Sequence, residues 1–263
     1  MYLLALTPTQ GGFLALAAFL AGALNTVAGG GSLISFPALL AMGYPAVIAR
    51  VTNTAALWPG YIGGAVSYKK EILKQSENTI SLGSIAILGS ILGSGALLIA
   101  PAKLFVALAP YLILLACFLL FFQPKITTII KNKQAYNLDK TGSKARSRWN
   151  VYLGTLLAGI YGAYFGAGLG IVLLAILGTF LPQNLQSSNG LKNFLSLTIN
   201  TVALVAFVAF GPIAWSAVLI MVTASLVGGY TGGYITRRLS PKLLRAAIII
   251  FGIGVSMAMI FKL

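Results

Sequence analysis

Eight apolar runs fill almost the whole of this chain, near residues 11–42, 46–67, 79–100, 103–122, 151–181, 190–210, 213–236 and 243–261. About 20 apolar residues of helix cross a bilayer core, and each run is close to that length or longer. Backbone groups in lipid must be paired within their own segment, so runs of this length imply helices rather than strands. With 58% of 263 residues hydrophobic and 8% charged, too little polar surface remains for a soluble domain. The chain is expected to be an all-α polytopic membrane protein. Its start, "MYLLALTPTQ", lacks the positive stretch and small-residue cleavage pattern of a secretory signal, so the first run is expected to remain in the mature protein.

Two of these runs are broken by glycine at matching places. "LAGALNTVAGGGSLI" from Leu20 aligns with "LAGIYGAYFGAGLGI" from Leu157. With a three-residue insertion, Asn53 then meets Asn193, Gly89 and Gly93 meet Gly229 and Gly233, and Pro101 meets Pro241. The chain therefore reads as a duplication: a membrane repeat over 1–123, a basic linker over 124–150 and a second membrane repeat over 151–263. If every run crosses once, the halves are parallel and the basic residues divide 11 to 7 between the two sides. If the first run of each half instead turns back as a re-entrant hairpin, three crossings follow in each half. The halves are then inverted, and 15 of the 18 basic residues fall on one side. The positive-inside rule favours the second arrangement and makes the linker cytoplasmic: two inverted repeats, each a broken helix or helical hairpin plus three transmembrane helices.

Irregular backbone at membrane depth is tolerated where it lines a wet cavity or is buried in protein, and interrupted helices at matching positions mark the midplane sites of many secondary transporters. Glycine there permits positive φ and close approach of backbone N–H groups to a ligand. A half-helix starting near Ser32 presents N–H groups and the positive end of its dipole, which favour an anion. Asn25, Thr26, Gly29, Gly30, Gly31 and Ser32 of the first break, and Gly166 and Gly168 of the second, are candidate substrate contacts. Close helix packing through small residues is the competing explanation for such glycines.

Arg50 and Lys192 both lie near the starts of apolar runs. The three acids, Glu71, Glu77 and Asp139, all fall in polar loops. Should either cation reach inward rather than snorkel to the interface, its counter-ion would be a bound anion. Asn53 and Asn193 are amides inside apolar runs and need hydrogen-bond partners, so they join the candidate set. Trp58, Tyr61, Trp149 and Trp215 read mostly as interface anchors.

The formal net charge of +15 comes from 18 basic residues against 3 acidic ones. Seven of the 18 fall between Lys125 and Arg148 and four between Arg237 and Arg245, so lipid headgroups, not nucleic acid, are the expected partner. The chain has no histidine and a single cysteine, Cys117, and its carboxylates lie outside the apolar runs. That composition offers no catalytic dyad, no metal site and no conventional proton relay, so neither an enzyme nor a cofactor is expected. A transporter of a small anion, a membrane scaffold that moves nothing, and an anion channel remain; a homodimer is compatible with any of them.

"LAGALNTVAGGGSLISFPALLAMGYPAVIARVTNT", with "LAGIYGAYFGAGLGIVLLAILG" and "SSNGLKN" in the second half, resembles the TauE/SafE family of sulfite exporter-like permeases across essentially the whole chain. The second copy departs at Leu169, where the first has Ser32, and at Leu174, where the first has Pro37. The resemblance implies a bacterial inner-membrane secondary transporter that exports small sulfur-containing anions such as sulfite or organosulfonates, by alternating access between the repeats.

Overall fold

The computed structural model describes residues 7–27, 30–138, 148–181, 183–235 and 241–261. Among them the chain is helical, without strands. The elements are α1 (Pro8–Val27), α2 (Ser32–Ala41), α3 (Ala46–Ser67), α4 (Lys69–Leu73), α5 (Ser76–Ile99), α6 (Ala102–Leu138), α7 (Arg148–Tyr164), α8 (Leu169–Phe180), α9 (Leu185–Phe210), α10 (Trp215–Ile235) and α11 (Pro241–Ile260). By length and composition α5, α9 and the 102–130 part of α6 can each span a bilayer. Helix α6 continues past the apolar run to Leu138, so the first part of the 124–150 stretch is helical. Pro124 lies within it, and the polar residues beyond are compatible with a helix.

Both broken runs reverse direction. Gly31 packs against Ala21, close enough that a Cβ on Gly31 would fall 2.1 Å from the Ala21 carbonyl oxygen. In one continuous helix ten residues would lie about 15 Å apart, so α2 folds back along α1. In the second copy Leu169 packs back on Gly162 in the same way. Helix α7 ends with the Gly166 N–H reaching the Tyr161 carbonyl at 3.1 Å. Gly166 and Gly168 have φ of +80° and +75°, the left-handed region that glycine enters without penalty. The two breaks solve the reversal differently. Gly31 has φ −58°, and the glycine is required there by close approach, not by positive φ.

The halves are interleaved. Helix α1 packs chiefly on α10 and α7 on α5, each pairing the first helix of one half with a later helix of the other; α5 packs on α9 and α10 on α3, while α3 meets α9 and α6 meets α11. Glycine sets the close approaches. A Cβ on Gly89 would meet the Leu156 carbonyl at 2.5 Å, and one on Gly228 the Phe19 carbonyl at 2.0 Å. Phe19 aligns with Leu156, so packing pairs Gly89 with Gly228 rather than with Gly229; two adjacent glycines leave the sequence alignment free by one residue.

Helix α9 runs antiparallel to α3, and α11 to α6. Gly190, near the start of α9, packs on Tyr68 and Glu71, just past the end of α3, while Thr52, near the start of α3, accepts from the Ala214 N–H beyond the end of α9 at 3.1 Å. Along α6 and α11, Arg245 donates to Gln123 at 3.4 Å and Ser256 donates to the Pro110 carbonyl at 2.8 Å. Gln75 donates to the Ser187 carbonyl at 2.8 Å, and Arg148 faces Glu77 at 3.8 Å. Together these bonds gather α4 and the starts of α5, α7 and α9 at one end of the bundle.

Candidate functional site

A cavity of about 370 Å³ opens at the end of the bundle that carries α4. It lies between α1, α3, α8, α9 and α10, with Asn25, Tyr61, Gly64, Tyr68, Gly170, Lys192, Asn193, Ser196 and Tyr230 in its wall. Tyr68 lies at its rim, beside the exposed Lys69, Lys70 and Lys74 of α4 and its C-cap. Among the described residues no carboxylate lines it.

Lys192 is the charged group of this cavity. It is 7% exposed, and among the described residues the only ion pair is the surface contact between Arg148 and Glu77. No hydrogen bond among the described residues occupies its ammonium. A cation in an apolar helix costs about 2.5 to 3.5 kcal/mol on insertion scales, and among the described residues it has neither an acid nor a carbonyl in compensation, only the cavity. Opposite it, α8 begins at Leu169. Leu169 and Ile171 donate to the Gly166 and Gly168 carbonyls at 3.3 and 2.9 Å, whereas no backbone carbonyl among the described residues takes the N–H of Gly170. A free N–H in the first turn of a helix is a ready anion contact.

Neutral donors surround this pair. Asn25 accepts the Gly31 N–H at 2.8 Å, which fixes the first reversal and leaves its amide nitrogen as a donor at the cavity wall. Asn193 donates to the Gly64 carbonyl at 3.3 Å, tying α9 to α3. The Tyr61 hydroxyl interacts with Ser32, Asn25 and Asn200 and so joins both halves at the cavity. Asn200 itself donates to the Ser196 carbonyl at 2.8 Å. Trp58 is not a wall residue; its indole N–H donates to Thr201 at 2.9 Å across the α3–α9 interface.

Of the candidates read from sequence, the structure brings Asn25, Lys192 and Asn193 to the cavity, with Ser32 joined to it through Tyr61. Gly30 and Gly31 shape the reversal instead, and the N–H of Gly31 is taken by Asn25. The side chain of Thr26 and all of Gly29 lie outside the described residues. Arg50 is placed elsewhere. It is 2% exposed, and its guanidinium donates to the Gly162 and Ala163 carbonyls at 2.7 and 3.0 Å, to the Tyr164 carbonyl at 3.2 Å and to the Thr54 hydroxyl. These carbonyls are the unpaired acceptors at the C-terminus of α7, where a cation also meets the negative end of the dipole. Gly166 lies directly beneath, 2.9 Å from the guanidinium at its Cβ position. Asn53 is 1% exposed, and its side-chain oxygen lacks a partner; neither it nor Gly168 lines the cavity.

Sequence reasoning missed Tyr61, Ser196, Asn200 and Gly170. Tyr61 reads as an interface anchor because its position in the run says nothing of its hydroxyl. Asn200 carries the same signal as Asn53, a polar amide within an apolar run.

The family model for sulfite exporter TauE/SafE matches residues 14–259. The chain belongs to that family. A probable membrane transporter protein of Haemophilus influenzae is 27% identical over 252 residues, covering 92% of this chain and 91% of the relative. The probable membrane transporter protein YfcA of Escherichia coli K12 is 25% identical over 258 residues, covering 97% and 91%. The probable membrane transporter protein ORF9 of a Sinorhizobium species is 24% identical over 250 residues, covering 94% and 91%. No solved structure matches the chain. The TauE/SafE assignment and the relatives' names together identify a probable membrane transporter.

Proposed function

We propose that this TauE/SafE protein is a secondary transporter that exports small sulfur-containing anions, sulfite or organosulfonates, from the cytoplasm across the bacterial inner membrane. The observation that carries the reading is Lys192: a buried ammonium without a partner among the described residues, facing a cavity whose described wall has no carboxylate. An anion there would meet the ammonium, the free N–H of Gly170 and the neutral donors of Asn25, Asn193 and Ser196. The family's sulfite exporter description supplies the substrate class.

The antiparallel run of α3 with α9 and of α6 with α11 supports inverted repeats, which rock about a shared site in alternating access. With the basic α4 at the cavity mouth, the positive-inside rule makes that mouth cytoplasmic, and the lysines of α4 would draw anions toward it. Membrane potential drives an anion outward with about 2.3 kcal/mol per charge per 100 mV.

The test is flux from liposomes containing only this protein. Saturable efflux of sulfite or sulfoacetate, abolished in Lys192→Met, is the expected result. Efflux that does not saturate would make the protein a channel, and no flux of any anion would make it a membrane subunit that moves nothing alone.

A further inference from the structure

The cavity stops short of one end of the fold. On α3 its wall runs from Pro59 to Tyr68. Arg50 lies nine residues before Pro59 on α3, about 13 Å deeper at the rise of an α-helix. At that depth four aromatic rings meet edge to face. Phe36 of α2 packs on Phe165 with centroids 5.6 Å apart and on Phe105 of α6 at 6.4 Å, and Phe105 packs on Tyr164 at 5.5 Å. The three phenylalanines are 2% exposed or less. Arg50 pins this cluster from the side. Three of its bonds go to the last carbonyls of α7, immediately before Phe165, and its guanidinium lies 5.8 Å from the ring centroid of Phe207 on α9. One side chain of the first half thus holds the hairpin of the second half against α3 and α9.

Among the described residues the first hairpin has no such cation. Its reversal is held by the neutral Asn25, and it borders the open cavity. Among the described residues the cavity is thus open at the α4 end, while the aromatic cluster with Arg50 beside it closes the core toward the other end.

We propose that Arg50 is the latch of the pathway's closed gate, with Phe36, Phe105, Tyr164 and Phe165 as its plug. The chemistry suits a contact that must open. The guanidinium is held by backbone carbonyls and a hydroxyl rather than a carboxylate, so it can be released to water or to an arriving anion without stranding a buried acid. The use of this seal as a gate rests on the transport reading; the seal itself does not, and the experiment reads the two separately.

The test is the reactivity of a thiol placed in the plug, Phe36→Cys with Cys117→Ala, toward a water-soluble maleimide in lipid nanodiscs. With Arg50 intact the thiol reacts slowly. Adding Arg50→Gln accelerates labelling about tenfold by raising the open population, and Thr54→Val, which removes one partner and keeps the guanidinium, gives a smaller rise. Unchanged labelling in both variants overturns the proposal. So does reaction of the native, buried Cys117 in an otherwise unaltered Arg50→Gln protein, because that would be general loosening. Sulfite flux through the same proteins in vesicles is read apart. Faster labelling without flux in any variant supports the latch and removes the transport reading.

Discussion

Arg50 and Lys192 are both buried cations in apolar helices, one in each half, and the fold treats them in opposite ways. Arg50 is saturated, its donors spent on the end of α7 and on Thr54. Lys192 has no partner among the described residues and faces a cavity. Because the desolvation cost of a charge is met either by dipoles of the fold or by a ligand from outside it, the first cation joins two parts of the fold and the second is a vacancy for a ligand. Burial alone says nothing of the role; the partners decide it.

The sharpest way to break this contrast is to neutralise Lys192. Lys192→Met is expected to abolish anion flux, to leave the protein without ligand as stable as before or more so, and to remove the rise in melting temperature that an anion confers on the unaltered protein. A destabilised variant that still gains stability from anions would make Lys192 structural and dissolve the comparison.

Neutralising Arg50 should do the reverse. Arg50→Ala leaves three buried carbonyls without donors, a loss of about 3 kcal/mol or more, measured as a fall in melting temperature with or without anion present. A fall only in the presence of substrate would put Arg50 in the binding site.

The glycine run sharpens the comparison at the backbone. Gly31→Ala drives a methyl into the Ala21 carbonyl and is expected to cost about 2 kcal/mol. At Gly30 the nearest neighbours are leucine methyls at 3.7 and 3.8 Å, so Gly30→Ala should lie within about 0.5 kcal/mol of the unaltered protein. Comparable losses from both would mean that the run serves the turn as a whole instead of a single close approach.

The smallest effect is expected at Tyr61. Tyr61→Phe removes the hydroxyl that joins Asn25, Ser32 and Asn200, and should weaken anion binding about tenfold, as the loss of about 1.4 kcal/mol, with little change in stability without ligand. Anion titration by thermal shift measures it.

Several of these features are legible before any coordinates. The apolar runs dictate helices because lipid leaves the backbone no other partner. The paired glycine breaks locate the two reversals, because a membrane helix interrupted at matching points of a duplication needs a reason. The absence of acids from the apolar runs directs attention to Arg50 and Lys192 as cations without internal counter-ions. It does not distinguish them, since the carbonyls that satisfy Arg50 belong to a helix 112 to 114 residues away.

What the sequence by itself determined is therefore local and compositional: helices, the approximate limits of the apolar runs, and a short set of polar residues that cannot be idle in lipid. Tertiary structure alone decided which of them share a space. It gave Gly31 to close packing and Gly166 to a left-handed turn, Asn25 to the cavity and Asn53 to the interior, and Tyr61 a hydroxyl network that its place in the run does not show. The physical reason is range. Chain period and solvent act residue by residue, while a hydrogen-bond partner or a void is a property of several helices brought together.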